Sequence, residues 1–166
     1  MKPNVSRMLL PAGLVLALAA LSLTAHAADA QSSAAGANDL AGSWLFTLNR
    51  TLPFPAQVLA LGTFSKEGTF TGTAQGDGIC CPTEGPAHGA WKKTGHNTFA
   101  LTFNTLWYLG DSPPSLFGIL KLNMTLTLDE KPERLTGVFS GAVVDPNGNV
   151  AIPLQGSLTA ERIRVE

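Results

Sequence analysis

Charged side chains are scarce in this chain of 166 residues: 11 Lys and Arg and 12 Asp and Glu amount to 14%, with a net charge of −1 at pH 7. No basic run occurs, which excludes the composition typical of nucleic-acid-binding proteins. The two cysteines are too few for a disulfide scaffold, and the chain has neither a G-x-S-x-G nucleophile motif nor a phosphate-binding loop. No apolar stripe at helical spacing follows residue 27, and 17 Gly and 11 Pro argue against a helix bundle.

The N-terminal segment has the three parts of a signal peptide. Lys2 and Arg7 form a short basic region, Leu9–Leu23 is apolar, and Ala25-His26-Ala27 fits a small-x-small cleavage site. The apolar stretch is shorter than the roughly 20 residues that span a bilayer, although a retained anchor helix is the alternative. We expect a periplasmic or secreted protein without a membrane span after cleavage, organised as a signal peptide (1–27), a disordered lead-in (28–39) and a barrel domain (40–166).

From Gly42 onward the hydrophobic pattern has a period of two. Leu116, Leu120 and Leu122 alternate with Lys121 and Asn123, which is typical of a strand with one buried and one exposed face. The same rule predicts eight strands: Trp44–Asn49, Gln57–Ser65, Thr69–Gln75, His88–Thr94, Thr98–Tyr108, Leu116–Leu128, Leu135–Asp145 and Val150–Ile163. With 45% hydrophobic residues, the chain is long enough for one domain with a sizeable core.

Short polar connections alternate along the chain with longer ones that carry Pro and apolar residues. The short connections are 66–68, 95–97 and 129–134, and the long ones are 50–56, 76–87 and 109–115. In an up-and-down meander, alternate connections lie at opposite ends. The sequence therefore predicts an all-β fold, an eight-stranded antiparallel up-and-down β-barrel, with tight turns at one end and long loops at the other.

Glycines recur on the parity assigned to the interior. They are Gly62, Gly72, Gly118, Gly137, Gly141 and Gly156. These glycines either supply the bends that closure needs and leave room for a ligand, or only relieve crowding in a filled core.

A G-x-W motif, Gly42-Ser43-Trp44, opens the first strand, and Arg162 lies at the end of the last strand on the interior parity. In a meander both residues lie at the tight-turn end, where the guanidinium would stack on the indole and close the floor of the barrel through a cation–π contact. This arrangement resembles the calycin fold of lipocalins and avidin-like barrels. The chain differs from lipocalins in lacking their C-terminal helix, and it has a second G-x-W in Gly89-Ala90-Trp91.

A wider pattern is similar to that of small exported bacterial barrels of unsettled function, which look like relatives of the allene oxide cyclase-like barrel. The matching residues are Gly42, Trp44, Gly68, Thr69, His88, Gly89, Trp91, Gly137, Asp145, Gly148, Gly156, Arg162 and Ile163. The resemblance implies an interior cavity for an apolar molecule. It implies no particular reaction, because a fold does not specify chemistry.

Cys80 and Cys81 are adjacent in a long connection, which the meander places at the long-loop end. In an exported protein they could form a vicinal disulfide, a strained bond because neighbouring Cα atoms are about 3.8 Å apart. Free or intermolecular thiols, and a catalytic or metal-binding pair, are the other interpretations. Because no C-x-x-C spacing accompanies His88, we predict neither a metal site nor a cofactor.

Few residues are candidates for catalysis. Tyr108 and Asp111 lie near the predicted mouth, where they could act as an acid and a base, and His88 begins a strand. The alternatives are an interfacial tyrosine, a turn aspartate and a strand-end histidine bonded to a backbone carbonyl. We therefore assign no catalytic residue.

The first functional hypothesis is a non-enzymatic barrel that binds a small apolar molecule in its interior. Its walls would be Phe46, Phe64, Phe70, Leu101, Phe103, Leu120, Leu122 and Phe139, and its mouth would carry Phe54, Cys80, Cys81, Trp107 and Tyr108. The alternative is a cyclase- or isomerase-type enzyme that uses the same cavity. The third hypothesis is a filled barrel that acts through its surface, as an interaction or envelope protein, and none of the three involves nucleic acid.

The mature protein is expected to begin at or near Ala28, because cleavage after Ala27 satisfies the small-x-small rule. N-terminal sequencing of exported material measures this directly. A mature chain that still carries Leu14–Leu23 would indicate an anchored protein and would contradict the expected cleavage.

Overall fold

A computed structural model of the chain describes residues 40–76, 83–129 and 133–166. The described residues form strands and no helix, in the order β1 (Gly42–Leu52), β2 (Ala56–Phe64), β3 (Thr69–Ala74), β4 (Thr83–Glu84), β5 (Ala87–Lys93), β6 (Thr98–Tyr108), β7 (Leu116–Leu128), β8 (Arg134–Val144) and β9 (Val150–Arg162). The predicted signal peptide (1–27), the predicted lead-in (28–39) and the Cys80-Cys81 pair lie outside the described residues.

The eight long strands pair in chain order and close on themselves. Every pairing is antiparallel, the sheet runs β5-β3-β2-β1-β9-β8-β7, and β6 pairs with both β5 and β7. This confirms the predicted eight-stranded antiparallel barrel. Strands β6 and β7 have the predicted bounds, whereas β1 extends to Leu52, three residues beyond the predicted end at Asn49.

The barrel wall has a break between β3 and the short strand β4. Strand β4 pairs with β6 alone, and the ladder between β3 and β5 ends at the pair Gly72 and Ala87. The next residue toward β4 is Pro86, which has no N–H to continue that ladder. Gly85 remains attached to β6, because its N–H donates to the Leu106 carbonyl at 2.8 Å and its carbonyl accepts from the Thr105 hydroxyl at 2.6 Å.

Alternation along each strand sends one set of side chains into the barrel. At the tight-turn end, which we call the floor, the fully buried side chains include Leu40, Trp44, Phe64, Phe99, Leu126, Leu128 and Leu135. Strands β2, β5 and β7 end at the floor. Strands β1, β3, β6 and β8 end at the opposite end of the barrel, which we call the mouth.

Aromatic rings from neighbouring strands pack against glycines that face the interior of the barrel. A Cβ atom at Gly62 would lie 2.6 Å from Cε2 of Phe70 and 2.9 Å from Cε2 of Phe46. A Cβ atom at Gly156 would lie 2.6 Å from Cζ of Phe139. The space that these glycines provide is therefore used by rings, which favours the crowding interpretation over free room at these positions.

The floor is closed by a contact between the first and last strands. Trp44 has no exposed surface, and Arg162, its partner in the β1–β9 ladder, places its guanidinium carbon 4.3 Å from the centre of the indole. Nη1 of Arg162 donates to the Ala41 carbonyl at 2.7 Å, and Nε1 of Trp44 donates to the Leu40 carbonyl at 3.0 Å. The contact expected from the sequence is therefore present, and it also holds residues 40 and 41 across the floor.

Gly42 of the G-x-W motif is required by this arrangement. Its φ of 130° lies in a region that side chains disfavour, and a Cβ atom there would lie 2.6 Å from Nη1 of Arg162. The second G-x-W serves a different purpose. Nε1 of Trp91 donates to the Ser65 carbonyl at 3.0 Å, and its ring lies edge-on to Phe64 and Phe99 at 6.0 and 5.8 Å.

Replacing Arg162 with Ala is expected to lower the free energy of unfolding by roughly 1–2 kcal/mol, through the lost cation–π contact and the lost packing of its stem. Arg164→Ala is the matched control, because Arg164 is exposed and pairs with the exposed Glu133. Such a surface pair contributes about 0–1 kcal/mol. Urea denaturation of both variants measures the change in the free energy of unfolding. Equal losses for the two variants would contradict the closed-floor account.

Candidate ligand site

A cavity of about 70 Å³ lies inside the barrel, between the floor and the mouth. It is lined by side chains from every long strand, and by Glu84 of β4. Its volume is less than half of the roughly 150 Å³ of an engineered apolar cavity that binds benzene. The interior is thus mostly filled, and the remaining space suits a group of a few carbon atoms.

Seven of the residues expected to form the site line this cavity: Phe46, Phe70, Phe103, Trp107, Leu120, Leu122 and Phe139. Five further residues on the interior parity line the cavity but were not among the expected residues. They are Leu48, Val58, Ala60, Met124 and Leu154. All of these side chains are apolar apart from the indole N–H. The deep part of the cavity is therefore a hydrophobic surface.

Four of the expected residues lie elsewhere in the fold. Phe64 and Leu101 are buried but do not line the cavity, and Phe64 packs 5.0 Å from the ring of Phe70 and edge-on to Trp91 near the floor. Phe54 is exposed on the loop after β1, and Tyr108 is partly exposed at the end of β6. Cys80 and Cys81 fall outside the described residues, so their role stays a prediction.

Arg50 is a buried cation at the mouth end of the cavity. It lies on the same parity of β1 as Trp44 and Phe46, is only 3% exposed and lines the cavity. Its Nε donates to the Phe54 carbonyl at 3.1 Å, and its guanidinium carbon lies 4.7 Å from the centre of the Phe54 ring. The predicted first strand ends at Asn49, and extending its alternation by one residue places the Arg50 side chain on the interior parity.

Two further polar groups line the cavity near its mouth. Glu84 is partly buried and pairs with Trp107 across the β4–β6 bridge. Trp107 is 3% exposed, and its Nε1 has no hydrogen-bond acceptor among the described residues. An indole N–H is a donor only, and leaving it buried without an acceptor costs free energy.

The candidate catalytic residues do not share this site. His88 is exposed on the outer face of β5, between Thr71 and Asn104 in the neighbouring strands. Asp111 lies on the exposed loop after β6, where Oδ1 accepts from the Ser115 N–H at 2.8 Å. The side-chain and backbone hydrogen bonds of Ser115 lower the pKa of Asp111, which keeps it ionised. Its geometry fits the turn-aspartate interpretation, and neither it nor His88 lines the cavity.

Metal-ligand clusters and membrane-spanning helices are absent from residues 40–76, 83–129 and 133–166. In these ranges no three His, Cys, Asp or Glu side chains converge as they would around a metal ion, and no helix is long and apolar enough to cross a bilayer. Comparison with protein-family models, curated protein sequences and solved structures finds no match to this chain.

Proposed function

We propose that this protein is an exported, non-enzymatic barrel that binds a small apolar ligand, or the apolar end of a larger one, in its interior. The observation that carries the proposal is the cavity of about 70 Å³, which is lined at its depth by Phe46, Phe70, Phe103, Met124 and Phe139. An enclosed apolar space is a favourable environment for hydrocarbon groups. Export is inferred from the signal-peptide pattern of residues 1–27.

The size of the cavity limits the ligand. Fewer carbons fit here than in a cavity that holds a benzene ring, so a long hydrocarbon chain would not be enclosed. A longer molecule would have to extend past the mouth. The ligand is therefore a small molecule, or one that inserts only a short apolar end.

The placement of polar groups favours binding over catalysis. Arg50, Glu84 and Trp107 all lie at the mouth end, whereas the described side chains deep in the cavity, such as Phe46, Phe103 and Met124, are apolar. A cyclase or isomerase would need an acid or a base beside the reacting atoms. Closure of eight strands in a meander, with Arg162 stacked on Trp44, supports a calycin-like classification of the fold.

A surface-acting protein is the second candidate, and one observation favours it. On the outer face of β1 and β2, the cross-strand partners Leu45 and Leu61 are 43% and 49% exposed, and Leu59 is also exposed. Clustered exposed leucines are typical of interaction surfaces. This hypothesis needs no cavity, so an experiment on the cavity separates the two candidates.

Xenon binding tests whether the interior accepts an apolar guest. Ala60 lines the cavity, and Ala60→Leu adds three carbons to it, whereas Ala90→Leu makes the same change on the exposed outer face of β5. We expect xenon to occupy the cavity in the wild type and in Ala90→Leu but not in Ala60→Leu. Crystal structures of the three proteins under xenon pressure would measure the occupancy.

Absence of xenon from the wild-type interior would contradict the ligand-binding proposal and would favour the surface-acting candidate. Xenon that still binds to Ala60→Leu would show that it occupies a site other than this cavity. A thermal melt of each variant verifies that the leucine substitutions leave the barrel folded.

A further inference from the structure

We propose that the mouth of the barrel docks onto the surface of a zwitterionic lipid bilayer through a set of exposed apolar side chains, which we call the rim. The rim residues are Leu52, Phe54, Leu109, Leu116 and Val150. This inference rests on the proposed function, because it names the surface at which a ligand with an apolar end would enter or leave the cavity. In this arrangement the barrel lies on the bilayer with its mouth against the lipid.

The rim is built from three connections at the same end of the barrel. Leu52 ends β1 and Phe54 lies on the connection to β2. Leu109 and Leu116 flank the connection between β6 and β7, and Val150 begins β9. Their exposed fractions range from 39% for Leu109 to 65% for Val150. Exposed apolar side chains gathered at one end of a protein are typical of an interaction site.

Contacts within the mouth hold rim side chains in place. The N–H of Leu109 donates to the Ser115 carbonyl at 2.9 Å, which closes the connection after β6. Arg50 fixes Phe54, because its Nε donates to the Phe54 carbonyl at 3.1 Å and its guanidinium carbon lies 4.7 Å from the centre of the ring. Side chains that are already held in an exposed position lose little freedom on docking.

Charge is distributed unevenly between the two ends of the barrel. The described mouth connections, 52–55, 109–115 and 145–149, carry Asp111 and Asp145 and neither Lys nor Arg. Around the floor, the described charged residues include Lys66, Glu67, Lys92, Lys93, Asp129, Glu133, Arg134, Arg164 and Glu166. A barrel with a charged floor and an apolar rim is stabilised when the rim enters an apolar environment and the floor stays in water.

The acidic groups of the mouth favour a neutral lipid surface over a second copy of this chain. The side-chain hydrogen bond of Ser115 lowers the pKa of Asp111. The backbone hydrogen bond of Asn149 lowers the pKa of Asp145, so both carboxylates are ionised at neutral pH. Two mouths placed face to face would bring these like charges together, and the described mouth connections hold no cation to offset them. An anionic bilayer would be repelled in the same way, whereas a zwitterionic one carries no net charge.

The division of the rim among three connections also suits a bilayer. Fluid lipid adapts to separate protruding side chains, whereas a stable protein partner needs a complementary surface of about 800 Å². The cavity of about 70 Å³ encloses only a short apolar end, so the rest of a longer ligand would extend past the rim. Lipid against the rim would keep that part of the ligand out of water.

Partitioning onto phosphatidylcholine vesicles, measured by cosedimentation, tests the rim. The variant Leu52→Ser/Leu116→Ser removes two rim leucines, which are 43% and 42% exposed. The matched control Leu45→Ser/Leu61→Ser removes leucines that are 43% and 49% exposed on the outer face of β1 and β2. We expect the rim variant to lower the partition coefficient at least about tenfold and the control to leave it unchanged, because only the rim leucines leave water.

A second matched pair keeps the test independent of the folding of one variant. Val150→Ser changes the rim, and Val165→Ser changes an exposed valine beside Arg164, beyond the floor end of β9. We expect a loss of about threefold for Val150→Ser and none for Val165→Ser. A thermal melt of each variant verifies that the barrel is folded.

Vesicle charge supplies a separate readout. Replacing about a third of the phosphatidylcholine with phosphatidylglycerol should weaken binding severalfold at low salt, because Asp111 and Asp145 lie beside the lipid, and high salt should remove the difference. Stronger binding to the anionic vesicles would assign docking to the cations around the floor and would overturn the proposal.

The outcomes separate this inference from the function on which it rests, because xenon occupancy is measured without lipid and partitioning without ligand. If xenon occupies the cavity but the wild type does not partition, or the rim and control variants lose equally, the docking proposal is wrong and the proposed function stands. If the rim binds vesicles but xenon does not enter, the proposed function fails and the docking stands. Self-association in sedimentation velocity that Leu52→Ser/Leu116→Ser abolishes would assign the rim to a second copy and would overturn the proposal.

Discussion

The antiparallel ladder between the first and last strands, with Arg162 stacked on Trp44 at its floor end, makes the sheet a closed barrel. Without the β1–β9 ladder, the sheet would have two open edges and no enclosed interior. The ladder also sets which face of β1 points inward, since a shift by one residue would exchange the two faces. Trp44 at the floor and Arg50 at the mouth share one parity, so the same register that closes the floor places a cation in the cavity.

Ring packing against glycines determines how much of the interior stays empty. Phe46 and Phe70 lie over Gly62, and Phe139 lies over Gly156, so these strands approach closely without leaving a void. The floor is filled, and the remaining space lies above it. The break in the wall where Pro86 ends the β3–β5 ladder falls at the same level, because Gly72, Glu84 and Ala87 line the cavity. The mouth end therefore combines the empty space with the polar groups.

Most of the fold follows from the alternation of apolar residues. A period of two holds for long strands such as Leu116–Leu128, whose predicted and observed bounds agree, and the alternation of short and long connections indicates the meander. The same alternation predicts many of the residues that line the cavity. The stacking of Arg162 on Trp44 follows from the positions of the two residues at the ends of a meander.

Local deviations from this alternation could not be predicted. The end of β1 is one example: Arg50 was assigned to the proline-containing connection 50–56, whereas the strand continues to Leu52. Glu84 lies in a two-residue bridge that no periodicity indicates. The volume of the cavity depends on how rings fill the space above each glycine, which requires coordinates. Of the three residues that give the site its polar character, Arg50 and Glu84 were therefore not among the expected site residues.

The indole N–H signals of the three tryptophans test the central claim most directly. The N–H groups of Trp44 and Trp91 donate to backbone carbonyls, and of the three indole rings only that of Trp107 lines the cavity. Titration of ¹⁵N-labelled protein with xenon under pressure is expected to shift the Trp107 indole signal, because this ring lines the cavity, and to leave the signals of Trp44 and Trp91 nearly unmoved. An unmoved Trp107 signal at the highest xenon pressure, or equal shifts of all three signals, would contradict an apolar ligand site inside this barrel.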